Sequence, residues 1–398
     1  MRKLLVLPGY CTSLGGMTVS LSLMAKGFER CGASEQLRVL VQSGSLLEDY
    51  LRQAGLGFCL QLIEAKNQQQ FAKRALQWVS KQPRDWPLLL ENCFNRSLLP
   101  IIIQATPDLR LSGRPVYHIF RDLALSDNPI GNLGRKLAFA LLSPRVFCNS
   151  KFTAEQISSR LSDIQAILYP PVDVEQFNHR PTTGSPPQDL QPILGSGVRV
   201  MLTPSRISKP EKVNDKNLRT LLLVLAQLKS IGQYYHGVVI GQDSSPDHSR
   251  TRSLLEQAKF LGVADRFTVL PPTFAIADYY KHADVVVTLA PREPFGRTVV
   301  EAIACGVPVV GSQTGGIGEI LHHFAPDWTV DPNDPVAAAE AIVRITADPS
   351  TANTLIKGRR WVESQCSMVS YAQKVMEITL ASTSLHQTVA TLEKVVHS

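Results

Sequence analysis

The chain is predicted to be α/β, with two Rossmann-like domains facing a central cleft. Three observations carry that expectation. Short β-branched or leucine-rich runs alternate with helical stretches along almost the whole chain, the rhythm of doubly wound sheets. At 398 residues the chain is too long for one small domain. A segment rich in Pro, Gly, Ser and Thr without apolar period, His179 to Gly197, divides the rhythm in two and reads as a linker.

In the first half the predicted strands are Leu4 to Leu7, Leu37 to Gln42, Cys59 to Ile63, Leu88 to Glu91, Val116 to Phe120, Val146 to Cys148 and Ala166 to Tyr169. A second series begins at Val198 and continues through His236 to Ile240, Phe267 to Leu270, Val285 to Thr288 and Pro308 to Gly311. The expected domains are therefore residues 1–180 and 198–365. A last helical segment, from about Met368 to Leu385, follows the second domain.

Composition bounds the function classes. An apolar fraction of 44% with 19% charged residues describes an ordinary globular chain with ample core. No run approaches the length of a membrane span, and the N-terminus passes from Met1, Arg2 and Lys3 directly into a short strand with no signal-like apolar region. The seven cysteines are scattered without C-x-x-C spacing, so neither a disulfide framework nor a zinc site is indicated. The chain reads as cytoplasmic. Its first 180 residues carry 21 Lys and Arg against 14 Asp and Glu, while the rest holds 20 of each, so the whole net charge of +7 lies in the first half. A basic half attracts anions such as phosphorylated acceptors, an acidic lipid surface or nucleic acid, or serves solubility alone, and the helix Leu133 to Leu142 with Arg135 and Lys136 is a candidate for peripheral contact with an anionic membrane, at its inner face. An ordinary packed helix is the competing reading.

The densest signal is PREPFGRTVVEAIACGVPVVGSQTGGIGEI. Asp284 to Thr288 reads as a buried parallel strand, and a turn with Pro291, Pro294 and Gly296 follows it. A helix is then predicted with its first turn at Thr298. Glu293 falls in the loop and Glu301 in the helix, both expected to face the crevice beyond the strand's C-terminal end. The N–H groups of Phe295, Gly296, Arg297 and Thr298 lie where a helix start favours an anion. Carboxylates on either side of that anion suit the hydroxyls of a sugar and a ribose, which together describe a sugar nucleotide. In MLTPSRISKPEKVNDKNL, Arg206 and Lys212 follow another strand and are placed to neutralise a diphosphate, with Lys209 as an alternative to Lys212. Gly15 and Gly16 after the first strand permit close backbone approach to a ligand, without forming a GxGxxG fingerprint.

These motifs resemble the retaining glycosyltransferases of family four, whose E-x7-E segment reads E-G-F-G, then E-A-x-A-x-G-x-P-V-V, then G-G-x-x-E. Here the matching residues are Glu293 to Gly296, Glu301 to Val310 and Gly315 to Glu319, with Pro294 in place of the common glycine. The resemblance implies a GT-B fold whose final helix crosses back onto the N-terminal domain. It implies a donor phosphate site at Arg206 and Lys212, Glu293 near the donor sugar, Glu301 on the ribose, and a glycine pair on the acceptor side at Gly15 and Gly16. A histidine toward the end of the strand VYHIF would touch the donor sugar, a role that falls on His118, with a satisfied core histidine as the competing reading. The implied reaction moves a hexosyl group from a UDP- or GDP-sugar to a saccharide, lipid-linked or small-molecule acceptor, with no metal, no other cofactor and no nucleic-acid partner. Two other classes stay open: a sugar-nucleotide-binding protein without turnover, and a Rossmann oxidoreductase using a dinucleotide.

Overall fold

The computed structural model describes residues 1–10, 15–95, 97–123, 129–158, 164–180, 184–209 and 215–381; the side chains of 129, 130 and 158 are not described. The chain divides into two compact units. One contains Met1–Asn149, Ile157–Pro171 and the chain from Met368; the other contains Ser150–Gln156 and Val172–Ser367.

The first unit is built on a parallel sheet of seven strands: β1 Leu4–Pro8, β2 Leu37–Gln42, β3 Leu60–Ile63, β4 Leu88–Glu91, β5 Val116–Phe120, β6 Arg145–Cys148 and β7 Ile164–Ile167. Their order across the sheet is β3-β2-β1-β4-β5-β6-β7. β1, β4 and β5 are buried at every position, as strands covered by helices on both faces must be. The order reverses direction between β1 and β4, so the first unit has its switch point where Gly15 and Gly16 follow β1. The helix Met368–Leu380 packs on the helix Gly16–Arg30, and glycine is what allows it. A Cβ at Gly27 would stand 2.2 Å from the Met368 carbonyl oxygen. Tyr117 adds a hydroxyl bond to the Ile378 carbonyl at 3.0 Å.

The second unit has six parallel strands: β8 Arg199–Pro204, β9 Tyr235–Ile240, β10 Phe267–Leu270, β11 Val285–Thr288, β12 Val309–Ser312 and β13 Thr329–Val330, in the order β10-β9-β8-β11-β12-β13. Its switch point falls between β8 and β11. The loops carrying Arg206 and Glu293 therefore leave neighbouring strands at the crevice where doubly wound sheets bind ligands.

Several boundaries differ from those predicted by one or two residues, and one strand was not predicted. β7 begins at Ile164, two residues before the predicted Ala166. β12 starts after Pro308, which has no N–H to pair and contributes only its carbonyl, accepting from Val286 N at 2.9 Å. The edge strand β13, two residues long, is too short for any periodic signal. The segment read as a linker contains a short helix, Gln191–Gly195, with Leu190 fully buried before it, and Tyr279 donates its hydroxyl to Asp189 at 2.8 Å. Residues 382–385, expected at the end of the last helix, lie outside the described residues.

Candidate functional site

The site in the second unit is built around the turn Glu293–Gly296. β11 ends at Thr288, and the helix Arg297–Ala304 starts one residue earlier than predicted, with Gly296 as its N-cap. Gly296 has φ 97°, a left-handed conformation that disfavours any side chain, and a Cβ there would also press on Ile317 at 3.1 Å. No side chain caps this helix start. The positive end of the helix is thus presented at the strand switch point.

Two anchors hold the turn. On one side, Gly316 donates its N–H to the Glu293 carbonyl at 2.7 Å, and a Cβ at Gly316 would lie 2.5 Å from the Phe295 backbone. On the other, Ser150 and Thr153 donate their hydroxyls to the Pro294 carbonyl at 2.5 and 3.2 Å. Glu319 fixes that second anchor by accepting from the backbone N–H of Lys151 at 2.9 Å and of Phe152 at 2.8 Å, at the start of the helix Lys151–Ser158. The Gly-Gly pair and the glutamate of G-G-x-x-E therefore belong to one mechanical assembly. The glycines let the turn approach, and the acid caps the helix that grips it.

The first carboxylate, Glu293, forms an ion pair with Lys216. Lys216 is placed by its neighbour Asn217, a buried residue at φ 53° that begins the helix Leu218–Ser230. The Asn217 amide donates to the carbonyls of Leu289 and Pro332 at 3.3 and 2.6 Å, and its oxygen accepts from the Thr220 hydroxyl at 2.8 Å. This hub ties the start of that helix directly to the loop after β11. The second carboxylate, Glu301, is only 8% exposed; its Oε2 accepts from the buried Tyr280 hydroxyl at 3.0 Å, and Arg297 Nη1 stands 3.9 Å from Oε1. Burial holds the Glu301 carboxyl above the usual range against the lowering pull of Arg297 and the Tyr280 hydrogen bond, and burial beside Glu301 pushes the Tyr280 phenol well up.

Of the other predicted residues, Phe295 is buried, while Arg297 and Thr298 form the partly exposed first turn of the helix. Arg206 and Lys209 are exposed after β8, and among the described residues Arg206 makes no ion pair. Lys212 lies outside the described residues. Among the described residues the cation paired with Glu293 is Lys216, which sequence reasoning passed over; the available signal was its place immediately before the long apolar helix. In the first unit, Gly15 is the exposed N-cap of the helix Gly16–Arg30, with open space where a Cβ would stand.

His118 requires a correction. It is the third of five residues in β5, not the last, and its ring is fully buried against Phe94, Phe120 and Phe139 at centroid distances of 4.7, 4.4 and 5.4 Å. Neither ring nitrogen has a hydrogen-bond partner among the described residues, and burial pushes its pKa down to about 3. The ring is a neutral part of the core, so direct contact with a donor sugar is not carried forward.

Residues 206–361 match the family model described as glycosyl transferases group 1. The matched span contains both carboxylates, Lys216 and the Gly-Gly pair. Among curated proteins, the D-inositol 3-phosphate glycosyltransferase of Thermobispora bispora is 29% identical over 199 residues, 49% of this chain and 46% of that protein. The protein of the same name from Xylanimonas cellulosilytica is 35% identical over 146 residues, covering 34% of this chain and 35% of its own length. The chain thus spans half or less of the length of these relatives. Among solved structures, Anabaena HepE in complex with UDP and glucose superposes with a TM-score of 0.74 at 20% identity, covering 95% of this chain and 99% of that one. Sucrose-phosphate synthase from Thermosynechococcus elongatus gives a TM-score of 0.70 at 18% identity, covering 98% and 100%. These likenesses establish the two-domain GT-B fold.

Proposed function

We propose that this chain is a glycosyltransferase that moves a hexosyl group, with retention of configuration, from a nucleotide-diphosphate sugar to a saccharide, lipid-linked or small-molecule acceptor. The observation that carries the reading is the braced Glu293–Gly296 turn, with an uncapped helix start and Lys216 beside it. In this reading the donor diphosphate lies on the first turn Arg297–Thr298, and Lys216 turns from Glu293 toward the phosphate when the donor arrives. Arg206 adds its guanidinium fork from the neighbouring strand end. Lys216 shares the phosphate-binding role expected of Lys212 in the same loop. Positive charge placed where the leaving diphosphate gains negative charge is the main catalytic contribution, and it needs no metal.

Glu293, released from Lys216, accepts from hydroxyls of the transferred sugar, and Glu301 holds the ribose with the oxygen that Tyr280 leaves available. The acceptor hydroxyl attacks on the face from which the diphosphate departs. Its proton passes to the leaving phosphate oxygen as the glycosidic bond to phosphate breaks, so no enzyme nucleophile is needed. The UDP complex of Anabaena HepE favours a UDP-sugar donor, with a GDP-sugar as the alternative, and the names of the inositol phosphate relatives favour a polyol acceptor. Incubation with radiolabelled UDP-glucose and GDP-mannose, with and without a panel of sugar and inositol phosphate acceptors, tests the proposal. Acceptor-dependent release of nucleoside diphosphate supports it; binding without release in any combination favours a carrier without turnover.

A further inference from the structure

The helix Pro129–Leu142 of the first unit is apolar on both faces. Its inner face buries Ala138, Phe139 and Leu142, and Gly134 lets Leu99 of the neighbouring helix Leu99–Leu111 pack against it. Its outer face should then be polar. Instead Leu133, Leu137 and Leu141, spaced four residues apart, are 68%, 52% and 40% exposed. At 100° per residue these three form one stripe. Arg110 reaches this helix through a 2.9 Å bond from Nη1 to the Leu141 carbonyl, and the next residue, Leu111, is 85% exposed.

Charge selects the occupant. Between Asp127 and Glu155 the chain has no acidic side chain, and the exposed Lys136 projects from the same side of the helix as the leucines. Arg135 does not share that face: it lies near enough to Tyr10 and His118 for its charge to act on both, opposing the rise that burial gives the Tyr10 phenol and adding to the fall that burial gives His118, and so points toward the strand ends. A second copy meeting this helix with its own would offer Lys136 no acidic partner from that stretch. An anionic bilayer supplies both the apolar layer for the leucines and negative headgroups for the cations. We infer that the stripe Leu133, Leu137 and Leu141, with Lys136 and Arg110 at its margin, is a docking surface that lays this helix on an anionic lipid bilayer. None of these residues belongs to the donor site, so the inference stands apart from the transferase reading.

Co-sedimentation of the full chain with vesicles of phosphatidylcholine alone, and of phosphatidylcholine mixed with phosphatidylglycerol, tests it. The expected result is binding to the mixed vesicles that weakens with salt, a roughly tenfold or greater loss for Leu137→Glu and a roughly fivefold loss for Lys136→Gln. Leu133→Ser, a milder change at an exposed site, should weaken binding with an unchanged circular dichroism spectrum. Ile231→Glu, which alters an exposed apolar residue of the second unit, should bind as the parent does. The inference is overturned if the parent ignores anionic vesicles, if Leu137→Glu binds undiminished, if Ile231→Glu loses as much, or if sedimentation velocity shows a dimer that Leu137→Glu dissociates.

Discussion

Glu319 accepts hydrogen bonds from the backbone N–H groups of Lys151 at 2.9 Å and Phe152 at 2.8 Å, joining a helix start to a carboxylate 168 positions away in the chain. The same helix start grips the Pro294 carbonyl through Ser150, so Glu319 acts on the Glu293–Gly296 turn at one remove. Glu319→Ala is predicted to destabilise the second unit by about 1–2 kcal/mol, the usual cost of a lost cap, in thermal or urea unfolding. Turnover should fall more than donor affinity, because the turn is displaced and not removed. Unchanged stability together with unchanged turnover contradicts the bracing role.

Gly316 tests the opposite anchor by volume. Its Cβ would meet the Phe295 backbone at 2.5 Å, where no flexible side chain is available to give way. Gly316→Ala is predicted to cost roughly 1–3 kcal/mol through overpacking and to abolish donor binding. The neighbouring Gly318→Ala crowds the Gln313 carbonyl instead, so it should destabilise with a smaller effect on donor affinity. Equal affinity in Gly316→Ala and the parent would remove the anchor from the account.

Glu301 separates stability from function. Burial raises its folded pKa above 4.5, so from that folded value down to 4.5 the native state binds more protons than the unfolded chain. Its contribution to stability is complete below 4.5 and is lost as pH rises through the folded pKa. Glu301→Gln removes the buried charge, and at neutral pH the variant should therefore be at least as stable as the parent while binding nucleotide roughly tenfold more weakly. Denaturation at pH 5 and pH 7, paired with nucleotide titration, reads both; a variant of lower stability at pH 7 with full affinity sinks the assignment.

His118 carries the opposite sign. Its pKa falls from 6.5 to about 3 on folding, so the unfolded chain binds the extra proton in that window and stability declines as pH drops below 6.5. The expected slope from this ring is about 1.4 kcal/mol per pH unit. His118→Leu fits the phenylalanine cage without the two unpartnered nitrogens and should flatten the acid limb of the stability curve. An identical acid limb in parent and variant would show the ring to be solvated.

Much of the fold was legible because buried parallel strands are short unbroken apolar runs, and β1, β2, β4, β5 and β11 fall where such runs stand. The braced Glu293–Gly296 turn was legible for a related reason: Glu293, Gly296, Glu301 and the Gly315-Gly316 pair lie within one stretch of chain. What escaped depended on distance or on facing. The role of Glu319 is set by Lys151 and Phe152, which no local pattern links to it. Lys216 was obscured by the cations at 209 and 212, which stand nearer to Arg206 in the chain, and its place beside Glu293 depends on the Asn217 hub. His118 sits in a strand buried on both faces, where alternation does not tell an inward ring from one at a ligand.

Calorimetric titration of UDP, GDP and the matching nucleosides into the parent and Lys216→Ala tests the central claim most directly. The Lys216–Glu293 pair is partly exposed, with side chains 22% and 25% accessible, so its loss should change stability by no more than about 1 kcal/mol and leave the fold intact. The account predicts that diphosphates bind the parent far better than nucleosides do. It also predicts that Lys216→Ala weakens the diphosphates by roughly ten- to a hundredfold while leaving nucleoside binding unchanged. Nucleosides binding as tightly as diphosphates, or equal diphosphate affinity in parent and variant, would contradict it.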